Sequence, residues 1–476
     1  MYNKIFMKRS VIYTISKLVA SLLTLLSISL FTRIFDAESY GNYLLFVSYV
    51  ILICSVCFSW HRLSVYRYYH KYKQTYNSFL KTSFLAFCVI ILILLFFYLL
   101  LHFFVVRYDF DIVNLLPLLL LASIFKSNFD LNQNLLNISR KDILFCINTI
   151  LRPLLFFILS LYFYYYKNDV DNVLIYSLIL SLAIASLLSN LIILKDAKAG
   201  VFNKDIIKKF YSYGFPLSGL FIFDYILSFS DRLMISHYLG SGMVGIYGAN
   251  YDFIRMMILF GMIIQGYIIY PELNKTYEKK DLSKVKKLFT FNIDIFITIF
   301  FPLCIFIIYF NQSLSKIFIG ENFTILSGEL IPLFSIMFLF LGIKLYHIDY
   351  IFQLTEKTSH SMYILLFGSL VNLSLNIYLI PIFKVLGAAY ATLLSYLIIL
   401  FISYFLGKNL LKIKINYDVL IKTIFSVSVV IIFCFILDHF GFNDFVLFFI
   451  FSFGYIFLFY KYIYHSLEPF LKKLYF

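Results

Sequence analysis

The sequence predicts an all-α polytopic membrane protein, and three observations predict it. Hydrophobic residues fill 62% of the 476 positions and charged residues 14%, which leaves too little polar surface to keep a globule of this size in water. Apolar runs of about 20 residues, the length that crosses the hydrocarbon of a bilayer, recur along the whole chain. Of the 40 Lys and Arg residues, only Arg33, Arg107, Lys167, Lys316 and Lys384 fall in the connections on one side of those runs. The positive-inside rule then puts both termini in the cytoplasm. The net charge of +15 is a topology signal and calls for no nucleic acid.

Fourteen spans follow in order. The first, 11–31, is too long for the apolar region of a signal peptide and lacks a small-x-small exit before Arg33, so it is expected to be retained. Ser10, Thr14, Lys17, Ser21 and Thr24 step by four, three, four and three along it and share one helical face, which should line a cavity. The bland account of Lys17 is that it snorkels to the cytoplasmic headgroups. The second span, 40–60, contains no Lys or Arg; the third and fourth are 83–106 and 112–131; the fifth, 143–165, holds Arg152 beside Pro153. The sixth is 173–194, and the seventh, 211–234, carries Asp224, Ser228 and Asp231 on one face with Arg232 following. The eighth, 244–270, carries Asp252 and Arg255 three residues apart; the ninth is 288–310; the tenth, 330–351, carries Lys344, His347 and Asp349. Asn372 and Asn376 give an amide face to the eleventh, 362–381, and the last three are 387–406, 419–437 and 442–460.

An ionisable side chain in hydrocarbon costs roughly 2.5 to 3.5 kcal/mol on insertion scales, so these groups are expected to face an interior or a wet cavity. Asp231 with Arg232 and Asp252 with Arg255 can be self-paired structural bridges. Lys17, Arg152, Arg255 and Lys344 lie in four different spans, an arrangement suited to an anionic headgroup held between helices. Asp224, Asp231, His347 and Asp349 are the candidates for coupling to H⁺ or Na⁺.

The connections exclude other classes. Each is about 20 residues or shorter, so there is no soluble catalytic domain, and nothing resembles a P-loop. The expectation is a non-enzyme with no cofactor and no metal. The Lys-rich stretches at 195–210 and 271–287 read as amphipathic helices on an anionic leaflet or simply as topology determinants. All six cysteines lie within spans as small hydrophobes; Cys54 and Cys57 form a C-x-x-C with no partner pair. The D-x-D pairs Asp109/Asp111 and Asp169/Asp171 prompt a glycosyltransferase or polymerase reading, but on loops of only a handful of residues. Tyrosines such as Tyr162, Tyr165, Tyr460 and Tyr464 sit at span ends, where aromatic belts form.

Two stretches 204 positions apart read as one phrase: TRIFDAESYGNYLLFVSY from Thr32 and SHYLGSGMVGIYGANYDF from Ser236. Gly41 and Tyr43 align with Gly245 and Tyr247, as in a duplicated membrane unit whose halves move about a site between them.

The run SDRLMISHYLGSGMVGIYGANYDF resembles the signature of the polysaccharide-biosynthesis exporters, the lipid-linked oligosaccharide flippases of the superfamily that also holds the multidrug and toxin extrusion transporters. SLFTRIFDAESYGNYLLFVSYV, LNQNLLNISRKDILF, YGFPLSGLF and LGAAYATLLSYLI extend the resemblance in order over most of the chain. The resemblance implies two six-helix lobes in a V, at 1–194 and 211–407, joined by a cytoplasmic linker at 195–210 and followed by two further helices in 408–476. It also implies a bacterial inner-membrane flippase that carries an undecaprenyl-diphosphate-linked repeat unit, for O-antigen, lipopolysaccharide, capsule or exopolysaccharide, from the inner to the outer leaflet. Lys17 and Arg255 match positions whose cations commonly line the cavity in such proteins, while the second-span cation of some relatives is missing here. The implied partners are the lipid-linked oligosaccharide, membrane lipids and a coupling H⁺ or Na⁺; the sequence identifies no polymerase partner. A drug or cation antiporter of the same fold is the main rival, and it would want carboxylates to dominate the cavity.

Overall fold

A computed structural model describes residues 2–105, 112–166, 172–197, 200–411 and 416–464. Among these residues the chain is helical throughout, with no strand. It divides by packing into two compact units: Met1–Ser27 with Ile34–Gly245, and Ile28–Arg33 with Ile246–Phe476.

The first unit contains most of α1 (Tyr2–Ile34), then α2 (Ala37–Ile53) and α3 (Ser59–Tyr68), which are joined by a π turn at Cys54–Phe58 into one continuous rod. It continues through α4 (Tyr76–Val105), α5 (Ile112–Ile138), α6 (Asp142–Tyr166), α7 (Val173–Ala197) and α8 (Lys204–Leu239). Asp36 caps α2 by accepting from Ser39 N at 3.0 Å, and Asn203 caps α8 by accepting from Asp205 N at 2.8 Å, which satisfies donors that a helix start leaves open. Packing therefore divides the chain later than the 195–210 segment. α8 lies against α3, where Ser64 Oγ donates to Phe210 O at 2.7 Å and Gly214 approaches Trp60 O so closely that a Cβ would sit 2.1 Å away.

The second unit begins within α9 (Ser241–Glu278) and continues with α10 (Leu282–Ile295), a π turn at Phe296–Phe300, and α11 (Phe301–Tyr309). After α12 (Asn311–Phe318) and α13 (Ser327–Ile343), a second π turn, Lys344–Ile348, leads into α14 (Asp349–Leu354). Then come α15 (Thr358–Leu410), α16 (Tyr417–His439) and α17 (Asp444–Leu458), the last extended by a π turn at Phe459–Ile463. The end of α1 is pinned into this unit: Gly320 N donates to Thr32 Oγ1 at 2.9 Å, and Arg33 donates to Ile317 O at 2.7 Å.

Eleven helical stretches among the described residues are long and apolar enough to cross a membrane. One of them, Thr358–Leu410, is two spans: the chain reverses at Lys384, whose φ is 53°, three residues after Pro381. A Cβ at Gly387 would stand 2.2 Å from Leu379 O, so only glycine fits this turn. With α5 and α8 the fourteen spans are accounted for. The surface is that of a protein solvated by lipid: Leu92, Phe96, Leu99 and Phe103 form an exposed stripe on α4, and Phe445, Phe449 and Phe453 form one on α17. The chain is an all-α, multi-pass membrane protein.

The two glycines of the repeated phrase meet inside the first unit. A Cβ on Gly41 would lie 1.9 Å from Ser241 O, and one on Gly245 would lie 2.1 Å from Ala37 O. The offset that relates Gly41 to Gly245 also relates Ala37 to Ser241, so each glycine faces the counterpart of the other's neighbour. The contact has local two-fold symmetry, as expected of a duplicated element.

Candidate functional site

In the first unit the helix of the second span continues beyond the apolar run read from the sequence. α2, the π turn and α3 run as one continuous helix from Ala37 to Tyr68, eight residues past the span read as ending at Trp60, and this polar continuation carries Arg62 and Arg67. The polar run Ser59-Trp60-His61-Arg62 reads as the end of a span, but the helix continues because His61 and Ser64 are buried and bonded, His61 to Ser83 Oγ at 3.0 Å and Ser64 to Phe210 O. Arg62 Nη1 donates to Asp130 Oδ2 at 3.1 Å, and Lys126, one turn before Asp130 on α5, donates to the same oxygen. Arg152 of α6 lies with its guanidinium 5.8 Å over the Phe129 ring, within electrostatic reach of Asp130, and its Nε has no hydrogen-bond partner. Arg62 also stacks over Phe221 of α8 at 5.4 Å.

Three cations thus surround one carboxylate. The side chains of Arg62, Lys126 and Asp130 keep 29%, 26% and 19% of their exposure, so the group is accessible and carries two positive charges in excess. Such a cluster can accept an anionic group with charge-assisted bonds. Sequence reasoning found Arg152 and missed the other three, although the Lys126–Asp130 spacing of four is a readable signal. Elsewhere in this unit, Lys17 is half-buried on the same side of α1 as Thr14 and Ser21, while Ile15, Leu18 and Leu22 face outward. Thr24 Oγ1 donates to Ala20 O of its own helix at 2.9 Å. The Ser10 side chain and both D-x-D pairs lie outside the described residues. On α8, Asp224 is exposed, Asp231 and Arg232 are buried, and Arg232 lies 5.4 Å over Phe229.

In the second unit Arg255 is half-buried on α9, beside Tyr346. Lys344 is 1% exposed and its Nζ donates to Asp349 Oδ2 at 2.8 Å. The pair stands five positions apart, a spacing that an α-helix splays; the π turn Lys344–Ile348, with Asp349 N bonded to Lys344 O, stacks one above the other. His347 Nδ1 faces Asn292 Nδ2 at 3.2 Å, and Gln265 Nε2 donates to Asn292 Oδ1 at 2.6 Å. On α15, Asn376 Nδ2 donates to Asn372 Oδ1 and Asn372 Nδ2 to Thr392 Oγ1, at 3.1 and 3.3 Å, across the hairpin of the eleventh and twelfth spans. Among the described residues no three His, Cys, Asp or Glu converge as a metal site.

The Lys344–Asp349 bond makes a structural role testable. Lys344→Ala leaves Asp349 buried and unpaired and is expected to cost about 3–5 kcal/mol. It should appear as a lower melting midpoint in detergent, whereas Lys344→Met combined with Asp349→Leu should restore the midpoint.

Comparison with known proteins fixes the family. The model of the polysaccharide biosynthesis protein family matches residues 6–277, more than half of the chain. The chain belongs to that family. This polysaccharide biosynthesis protein is 27% identical, over 216 residues, to an uncharacterized membrane protein of Methanocaldococcus jannaschii; the match spans 44% of the chain and 41% of that relative's length. In fold it is similar to the lipid II flippase MurJ in an inward closed conformation, with a TM-score of 0.74 at 16% identity over 98% of this chain and 100% of that one. It is also similar to an inward-facing multidrug resistance MATE family transporter of the MOP superfamily, with a TM-score of 0.65 at 13% identity over 83% and 97%. At these identities the likeness is one of fold.

Proposed function

We propose that this family member is a flippase that moves an undecaprenyl-diphosphate-linked oligosaccharide from the inner to the outer leaflet of a bacterial cytoplasmic membrane by alternating access, with both termini in the cytoplasm. The observation that carries the reading is the excess of positive charge at Arg62, Lys126 and Arg152 around the single carboxylate of Asp130. A diphosphate bearing sugar cannot enter hydrocarbon unaided, so it needs a wet, cationic path while its polyprenyl tail stays in lipid. Each arginine supplies a planar fork of donors matched to phosphate oxygens. Export of the anionic headgroup from a negative-inside cell is downhill by roughly 2.3 kcal/mol per charge per 100 mV, so the membrane potential suffices as a driving force. Inward H⁺ or Na⁺ can add to it, with Asp224, Asp231, His347 and Asp349 as candidate coupling groups. Lys17 and Arg255 are further cations expected to meet the headgroup, and the two six-span lobes are the moving bodies.

Support for this reading comes from family membership and from the flippase named among the similar folds. The test is reconstitution in proteoliposomes with a fluorescent undecaprenyl-diphosphate disaccharide whose outer-leaflet copies are quenched by a membrane-impermeant reductant. Protein-dependent loss of the protected fraction is expected. Movement of a lipophilic cation in its place would mark a drug antiporter. In the same assay Lys17→Ala and Arg255→Ala should each slow translocation about tenfold, the loss of roughly 1.4 kcal/mol, while Cys54→Ala should leave it unchanged.

A further inference from the structure

Asp294 lies on α10, one residue before that helix ends, and the π turn Phe296–Phe300 begins two residues after it. It is 0% exposed, and no basic side chain among the described residues bonds to either carboxyl oxygen. The residues around it in sequence, Phe291, Ile293, Ile295 and Phe296, are apolar, so the group stands inside the ninth span. α16 packs on the π turn. Its N-cap residue, Asn416, places its side chain beside the carboxyl. Tyr455 of α17 donates to Thr298 O, in the π turn, at 2.6 Å. The carboxyl is thus enclosed between α10, its π turn and α16, with one amide side chain beside it.

No basic side chain pairs with Asp294 among the described residues, and the charged groups of the surrounding elements are engaged elsewhere. On the π turn before α14, Lys344 pairs with Asp349 and His347 faces Asn292, which lies two residues before Asp294 and so on a different side of α10. On α16, Asp418 pairs with Lys422. On α9, Arg255 lies beside Tyr346, and Glu272 pairs with Lys284 of α10 and Lys275. Tyr455 is committed to the Thr298 carbonyl, and Cys304 is the buried thiol of α11.

A carboxylate anion without a counter-charge is among the costliest groups to bury, and the usual resolution is that the group takes up a proton and becomes neutral. We propose that Asp294 is a proton-binding site: it carries a proton in this conformation and exchanges it with water during the transport cycle. The step is a proton transfer from a carboxyl oxygen to water, or the reverse, and needs no other reactant. The exchange half of the proposal rests on the transport reading above; the protonation half does not. The four coupling candidates picked from the sequence do not include this residue, because a lone Asp in FNIDIF has no other ionisable residue to mark it.

The test is infrared spectroscopy of the purified full chain in lipid at neutral pH, wild type against Asp294→Asn, a variant that keeps the size and neutrality of the protonated acid. The wild type should show a carboxylic-acid carbonyl stretch that the variant lacks. Wild-type flipping of the fluorescent undecaprenyl-diphosphate disaccharide should accelerate under an imposed pH gradient, and the Asn variant should lose that acceleration while keeping its response to electrical potential. Identical carbonyl spectra in the two proteins, or a wild-type band that disappears on adding Na⁺ at constant pH, overturns the proposal. If the band is lost in the variant but the wild type moves no lipid, the transport reading fails and the proton site stands.

Discussion

Arg62→Gln is expected to slow translocation of a diphosphate-linked sugar lipid ten- to a hundredfold and to leave the amount of folded protein unchanged. The charge-assisted bonds an arginine gives to a phosphate are worth about 1.5–3 kcal/mol, and each 1.4 kcal/mol is tenfold in rate. Folding should survive because Asp130 keeps Lys126 as its partner and so avoids becoming an unpaired buried charge. Arg62→Lys should fall between the two, since a lysine restores the charge but not the paired donors or the stacking over Phe221. Flipping rates in proteoliposomes, normalised to protein recovered by size-exclusion chromatography, measure all three. A wild-type rate for Arg62→Gln would remove this cluster from the transport path.

Gly41→Ala and Gly245→Ala are expected to destabilise the first unit strongly and by similar amounts. The added Cβ atoms would lie 1.9 and 2.1 Å from backbone oxygens, against about 3.3 Å for a close C···O contact. The obstacle is backbone on the facing helix, so no side-chain rotation relieves it and the helices must separate. Overpacking of this kind costs about 1–3 kcal/mol, occasionally more. Because the two contacts are related by the repeat, the two variants should lower the melting midpoint in detergent almost equally. One well-tolerated and one severe substitution would show that the symmetry is only apparent.

How much of this was legible in the sequence depends on the range of the interaction. Hydropathy and Lys/Arg alternation are local and cumulative, so the fourteen spans and the reversal near Lys384 could be read directly. The 18-residue phrase repeated at an offset of 204 positions is visible in the sequence, and its meaning lies in the close approach of Gly41 and Gly245. The second span reads as ending at Trp60 because the polar run behind it ends a span by composition, whereas burial of His61 and Ser64 against α4 and α8 carries the helix on to Tyr68. The Arg62–Asp130 pair joins residues 68 positions apart, which no periodicity reveals. Lys344 read as an available cation because its bond to Asp349 requires a π turn, and hydropathy gives no sign of one.

The central claim is that cations of the first unit hold a phosphate-bearing headgroup. Native mass spectrometry of the purified chain with undecaprenyl-diphosphate disaccharide tests it most directly, across wild type, the Arg62→Gln/Arg152→Gln double variant and the Lys344→Met/Asp349→Leu double variant. The account predicts one tightly held lipid on the wild type and on the Lys344/Asp349 variant, and at least a tenfold weaker complex with the Arg62/Arg152 variant. Equal binding by all three proteins would contradict it.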